Sequence, residues 1–295
     1  MNTFYLVGPT GSGKSSIALS LADLVGGEIV NADAFQLYSG LSVLTARPST
    51  EDEERVPHHL YGVLNPNEVC HAGRYLEMAE VSLEEIHARG KTAIVVGGSG
   101  LYVKALTHGL NDMPETDPEI RESLDRLSLE ELHAKLVELD PVSSAAIEPN
   151  NRRYVQRAIE ISLSSGLPAS ELRKAWESDS QDLRGVTIAR EREILYRRID
   201  ERTIEMFAAG AVEEVASIPH FSETAEKAIG VNQIRSLLQG ETDKEACIAE
   251  IQKASRRYAK RQLTWFRREK WLFEWNVDSF NRSHDVALRI QKEFF

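Results

Sequence analysis

Gly8-Pro9-Thr10-Gly11-Ser12-Gly13-Lys14-Ser15 satisfies G-x-x-x-x-G-K-S in full. A turn of this composition surrounds a di- or triphosphate with backbone N–H groups and with the positive end of the helix that follows it. Lys14 adds a point charge and Ser15 a hydroxyl suited to Mg²⁺. Asp33 closes the strand-like run Glu28–Asp33, and in a parallel α/β sheet ligands gather beyond the carboxyl ends of the strands, so this carboxylate is expected close to the phosphate loop. Taken alone, Asp33 reads equally well as a functional group or as a turn cap. Gly97-Gly98-Ser99-Gly100 is a second glycine-rich turn, and it stands where an ordinary P-loop ATPase ends a strand in an Mg²⁺-holding Asp. Hydrolysis and phosphoryl transfer are therefore not the chemistry indicated.

The elements that must position these groups alternate. Phe4–Val7 reads as a buried strand and Ile17–Ala22 as part of a helix; Ala72–Arg89 carries apolar residues at helical spacing with Gly90 at its end; Lys91–Val96 is a buried strand. This predicts a P-loop NTPase-like α/β fold, a parallel sheet flanked by helices. From about Leu110 the pattern becomes helix after helix: Asp117-Pro118, Ser128 with Glu131, Asp140-Pro141 and Asn150 are helix starts, and Gly166-Leu167-Pro168 is a stop. The chain is expected to divide into a core, 1–110 with 186–295, and an α-helical insertion, 111–185. Val186–Ala189 resumes the core, followed by a charged helix over Ile194–Ala209 with Asp200 and Glu201 facing solvent, a helix after Ala228–Val231, a long basic helix and a short final element from Asp278.

Composition bounds the rest. At 295 residues, 42% hydrophobic and 27% charged, the chain can bury a large core, and no apolar run approaches a membrane span. The first strand begins within three residues of the start, leaving no room for a signal peptide, so a cytoplasmic protein is expected. Cys70 and Cys247 form neither a disulfide framework nor a zinc module, and His58-His59, adjacent on an extended segment with no carboxylate or cysteine cluster nearby in sequence, is not read as a metal site. The formal charge of −11 argues against a nucleic-acid partner until it is resolved along the chain. Between Lys253 and Lys270 eight cations face Glu269 alone, a local +7 that leaves −18 for everything else. A basic helix on an acidic body is an electrostatic footprint for a polyanion. Arg152, Arg153 and Arg157 with Tyr154 form a smaller basic group that reads by itself as a solvated helix face.

Seven motifs in order resemble the tRNA dimethylallyltransferase (tRNA isopentenyltransferase) family: the phosphate loop, Asn31–Tyr38, Thr45–Pro48, Val56–Leu60, Gly97–Tyr102, Pro149–Arg153 and Arg257–Arg267. The resemblance implies transfer of a dimethylallyl group from dimethylallyl diphosphate to N6 of an adenosine beside the tRNA anticodon. It implies that Gly8 to Ser15 hold the diphosphate leaving group with Mg²⁺ on Ser15, and that Lys14, Asp33 as general base and Ser99 are catalytic. Ser99 stands where the family usually has threonine. Ala34, Phe35 and Gln36 would meet the flipped adenine, and Arg121, Arg153, Arg157, Lys260, Arg261, Gln262 and Arg267 the anticodon stem-loop, gripped from two sides by the insertion and the basic helix. Trp265 and Phe266 are read as core packing rather than base stacking. Two departures matter: Val231-Asn232 replaces the usual Tyr-Arg, so no role is carried to it, and the zinc finger of eukaryotic members is missing, which implies a bacterial-type, monomeric enzyme with no membrane partner. An adenylate isopentenyltransferase, a P-loop small-molecule kinase and a non-catalytic RNA-binding protein are the alternatives.

Overall fold

The computed structural model describes residues 3–110, 117–176 and 183–295. Their elements in chain order are β1 (Thr3–Val7), α1 (Lys14–Val25), β2 (Glu28–Asn31), α2 (Thr50–Arg55), β3 (His58–His59), α3 (Ala72–Ala88), β4 (Ala93–Gly97) and α4 (Gly100–His108). There follow α5 (Pro118–Asp125), α6 (Leu129–Leu139), α7 (Pro141–Ala146), α8 (Arg152–Ser165), α9 (Ala169–Trp176), β5 (Gly185–Ala189), α10 (Arg192–Ala208) and α11 (Ala211–Ser217). The last five are α12 (Val231–Leu238), α13 (Lys244–Phe266), β6 (Phe273–Asn276) and α14 (Ser283–Phe294), with a 3₁₀ turn at Ala225–Lys227 before α12.

Two compact units result: residues 1–107 with 182–295, and residues 108–181. In the first, six strands lie in the order β3-β2-β4-β1-β5-β6, and every pairing is parallel. Successive side chains of a strand point to opposite faces, so the apolar runs feed two cores. Tyr5, Val7, Val30 and Val95 join one cluster with α3, α12 and the inner side of α13; Phe4, Leu6, Ile29, Ile94, Val186 and Ile188 join the other with α1 and α14. The sequence assigns the tail too little: an edge strand, β6, precedes Asp278, and the short element expected from there is a twelve-residue helix packed along α1. Its Val286, Ala287 and Ile290 are buried. β3 caps the opposite edge, where His59 Nε2 lies 2.7 Å from Glu28 on β2. Arg89 also donates to Glu28, holding its carboxyl below the usual range with help from His59. A carboxylate does stand beside the paired histidines, though as an ion-pair partner of both His59 and Arg89.

The second unit has its own core of Leu124, Leu132, Leu136, Val155, Ile159 and Ala169. Ser128 and Glu131 form a reciprocal capping box, and Asp117 and Asp140 cap α5 and α7 ahead of their prolines. α8 begins at Arg152, one residue past the expected start, with Asn151 as its cap. Residue 111, where the insertion was expected to begin, lies outside the described residues, and Gly185, placed in the insertion by sequence, is the first residue of β5.

Because Ile290 is fully buried against α1, Ile290→Ala should cost about 2–5 kcal/mol by denaturant unfolding, through lost burial and the cavity left behind. Turnover of the folded variant should be unchanged, since α14 contributes no side chain to the pockets at the strand ends.

Candidate active site

Parallel pairing brings the ends of four neighbouring strands to one edge. Val7 pairs with Gly97 and with Thr187, and Asn31 with Val96, so the turns after β2, β4, β1 and β5 emerge side by side. Those turns carry Asp33, Ser99, the phosphate loop and Arg190 respectively.

The phosphate loop begins at Gly8, whose φ of +153° and approach to β5 exclude a side chain: a Cβ there would lie 2.7 Å from the Ile188 carbonyl. It ends in a left-handed Gly13 that caps α1, so Lys14 and Ser15 form that helix's first turn. Gly11, Gly13, Lys14 and Ser15 line a cavity of about 300 Å³ whose opposite wall is α10, with Arg198 and Arg202. Burial lowers the Lys14 ammonium to about 8; Asp33 pulls the other way and Arg202 reinforces the drop. Burial also lowers the Arg202 guanidinium, against the attraction of Asp33.

Three arginines missed by the sequence reading brace this loop. Arg190 Nε donates to the Ser12 carbonyl at 2.8 Å, Arg198 Nε to Gly11 at 2.9 Å, and Arg202 to the Thr10 hydroxyl. Arg190 is neutralised by Asp278, 2.7 Å away. The available signal was Arg190 directly following a buried strand, and Arg198 and Arg202 at i, i+4 on the next helix. Glu201 on that helix is exposed, as expected, and borders the cavity, while Asp200 is half-buried and accepts from Arg256.

Asp33 is held from both sides. Its N–H donates to Asn31 Oδ1 at 2.8 Å, and its own Oδ1 accepts from Phe35 N–H at 3.1 Å. The carboxylate is thus a turn cap, with its second oxygen not engaged in that turn. It lines a second, smaller pocket together with Thr10 and Arg202 and the apolar side chains of Phe35, Leu44, Met206 and Ile251. Ser99 Oγ accepts from Ala34 N–H at 2.9 Å, while Ser99 N–H donates to the Ala32 carbonyl at 3.1 Å, tying the β2 and β4 turns together. Tyr258 on α13, also unforeseen, lines the pocket and reaches Ser99; burial and the charge of Asp33 push its phenol up.

Several expected base and RNA contacts are occupied otherwise. Gln36 gives both amide hydrogens to the carbonyls of Thr45 and Ala46, each at 2.9 Å, and so holds a turn in which Ala46 is left-handed at φ +52°. Gln262 is only 3% exposed and its amide is spent inside the protein, which corrects its placement on the RNA surface. Phe266 is fully buried and Trp265 packs over Gly100, as core packing requires. Lys260 and Arg261 are exposed on α13; Arg267, just past its end, is exposed and pairs with Glu274. In the helical unit Arg121 and Arg157 share the buried Glu160, Arg152 closes the end of α5 through the carbonyls of Leu124, Asp125 and Leu127, and Arg153 and Tyr154 are exposed. Val231, at the departure from the resembling pattern, is buried in the core, and Asn232 is exposed.

Among the described residues no group of three or more His, Cys, Asp and Glu is placed to hold a metal, and no helix is long and apolar enough to cross a membrane. Cys70 and Cys247 are buried free thiols.

Comparison with known proteins gives one answer. The family model described as IPP transferase matches residues 36–269. A tRNA dimethylallyltransferase of Akkermansia muciniphila is 44% identical over 99% of both chains, and one of Geobacter metallireducens is 42% identical over 89% of this chain and 88% of its own. Among solved structures, the full-length tRNA isopentenylpyrophosphate transferase of Bacillus halodurans superposes with a TM-score of 0.70 at 33% identity, covering 99% of this chain and 96% of that one. A eukaryotic dimethylallyltransferase acting on tRNA superposes with a TM-score of 0.82 at 25% identity, covering all of this chain and 79% of that one. The chain belongs to the IPP transferase family.

Proposed function

We propose that this protein transfers a dimethylallyl group from dimethylallyl diphosphate to the exocyclic amine of an adenine beside the anticodon of tRNA. The observation that carries this reading is the pairing, through the shared Arg202, of the cavity at the phosphate loop with a pocket that carries both Asp33 and apolar side chains. A phosphoryl acceptor needs no apolar pocket, whereas an allylic carbon does. In the reaction the C–O bond to the diphosphate breaks with its electron pair leaving on oxygen, the adenine nitrogen forms the new C–N bond, and its proton passes to Asp33. Lys14, Arg198 and Arg202 stabilise the charge that grows on the leaving group, a contribution that acts in the transition state. Ser99, its hydroxyl fixed by Ala34, orients the amine. An amine whose lone pair is delocalised into the ring is a weak nucleophile, and general-base help is worth about 10²- to 10⁴-fold.

The donor set suits Mg²⁺, which binds through few protein oxygens and keeps phosphate and water ligands. Ser15 would hold it at the head of α1, and the ion would supply further neutralisation of the diphosphate. The exposed Lys260 and Arg261 on α13, with Arg121, Arg153 and Arg157 on the helical unit, are proposed to hold the anticodon stem-loop, mainly through its phosphates. A cytoplasmic monomer is sufficient for this chemistry.

Incubation with dimethylallyl diphosphate and either tRNA or AMP, followed by nucleoside mass spectrometry, tests the reading: prenylated adenosine is expected in tRNA, and modification of AMP alone would sink it. Asp33→Asn keeps an oxygen for the Phe35 N–H but removes the base, so its turnover should fall about 10²- to 10⁴-fold with tRNA binding little changed. Matching losses in binding and rate would leave Asp33 only its capping role.

Lys14 binds an anion as ammonium, and with a pKa of about 8 in the empty site it is charged at pH 7 and neutral at pH 9. Pyrophosphate affinity relative to that of Lys14→Ala should therefore fall roughly tenfold across that interval, since linkage weakens binding by the fraction deprotonated. Calorimetric titration at the two pH values reads this ratio directly.

For Lys260→Ala, tRNA binding should weaken with a salt dependence shallower by about one unit of log–log slope. A filter-binding series in KCl measures it, and an unchanged slope removes Lys260 from the phosphate footprint.

A further inference from the structure

We infer that Gln262 is a positioning residue: a buried crossbar that sets the spacing between the diphosphate loop and the Ser99 turn, and so indexes the helix proposed to hold tRNA to the reacting atoms. The inference rests on the transferase reading above and deepens it.

Gln262 sits in the most basic stretch of α13, between Arg261 and Arg267, yet it points inward and is 3% exposed. Its two amide ends do different work. Nε2 donates to the Gly98 carbonyl at 2.9 Å, and Oε1 accepts from the Thr10 N–H at 2.9 Å. Thr10 belongs to the phosphate loop and is itself gripped by Arg202 through its hydroxyl; Gly98 immediately precedes Ser99. One side chain therefore spans from the leaving-group side of the site to the acceptor side. The fit is close, for a Cβ on Gly98 would collide with the Gln262 amide.

The rest of the helix supports the same geometry. Tyr258, Gln262 and Trp265 fall at i, i+4 and i+7, one face of a helix. Tyr258 packs against Phe35 and reaches Ser99, while Trp265 covers Gly100. The exposed Lys260 lies on the opposite face, with the exposed Arg257 and Arg261 on the flank between, Arg261 stacking over the Tyr258 ring. A helix is stiff along its length, so a polyanion seated on the outer face is held at a fixed offset from the groups under the inner face. An amide meets both demands at Gln262 without a proton from solution, whereas an ionised carboxylate supplies the acceptor alone.

Two variants test this. In Gln262→Glu the carboxylate can still accept from Thr10 but has no hydrogen for the Gly98 carbonyl; protonated, it regains the donor. In Gly98→Ala the native Gln262 is pushed off its seat by the added methyl. Each should lower kcat roughly 10- to 100-fold, the effect of one broken buried hydrogen-bond pair on a transition state, with the Kd for tRNA unchanged within about twofold. The ratio of Q262E to wild-type kcat should climb as the pH drops from about 8 to about 5.5, since a buried carboxyl protonates early, and the G98A ratio should stay flat.

A rise in tRNA Kd with kcat unmoved would return Gln262 to the RNA surface and overturn the inference. So would unaltered kinetics in both variants, or a Q262E defect that does not recover at low pH. Circular dichroism checks each fold; should Q262E not fold, G98A decides by the same split between kcat and Kd. A wild-type protein that transfers nothing to tRNA would overturn the transferase reading and this inference together, whereas an active wild type with unaffected variants overturns the inference alone.

Discussion

Everything at the candidate site depends on the register of four parallel strands. β2, β4, β1 and β5 are neighbours whose carboxyl ends meet at one edge, with Asn31 level with Val96 and Val7 with Gly97 and Thr187, and the turns that follow are stitched to each other as well as to their own strands: Gly8 N–H to Gly97, Ser99 N–H to Ala32, Ala34 N–H to Ser99. Asn31 extends the stitching downward. It orients Asp33, anchors Leu60 through its amide, and its carbonyl receives the Tyr75 hydroxyl at 2.9 Å. A one-residue slip in any of these pairings would send alternate side chains to the wrong face and separate the carboxylate from the cations. Burial of the strands on both faces is what makes such a slip costly.

Within that frame the site stores electrostatic tension that a polyphosphate relieves. Lys14 and Arg202 are desolvated; Arg202 further lowers Lys14 and Arg198 further lowers Arg202, with Asp33 as the shared countercharge. Arg190, by contrast, is balanced by Asp278 and reads as a brace for the loop backbone. The distinction follows from partners: a guanidinium already paired at 2.7 Å gains less from an incoming anion than the desolvated Lys14 ammonium does.

Legibility from sequence followed how local each signal was. The phosphate loop, the strands, the capping boxes and the insertion's helices are written in contiguous residues, and Asp33 and Ser99 could be placed because strand ends in a parallel sheet share one edge. Arg198 and Arg202 could not, since their spacing fixes a face of α10 but says nothing of which surface that face meets. Gln262 misled for a similar reason: surrounded by Lys260, Arg261 and Arg267, it shared a charged stretch, although helical period puts it on the side opposite Lys260. β6 was hidden because an edge strand with exposed Phe273 lacks the apolar run that marked the others. Asp33 caps its turn through one carboxylate oxygen and also lines the second pocket, so the structure keeps both readings of it open.

The same periodic logic decides how the charge of α13 is used. Of its cations, Lys253 is paired with Glu250 and Arg256 with Asp200, so part of the +7 seen in sequence is internal to the protein. The exposed Arg257, Lys260 and Arg261 lie on consecutive turns directly outside Tyr258 and Gln262. The positive field is therefore narrower than composition suggests and is centred over the two turns that carry the acceptor-side groups. The stripe attracts a polyanion while the net negative charge of the rest of the body repels one, so the two together favour approach to this helix over the remaining surface.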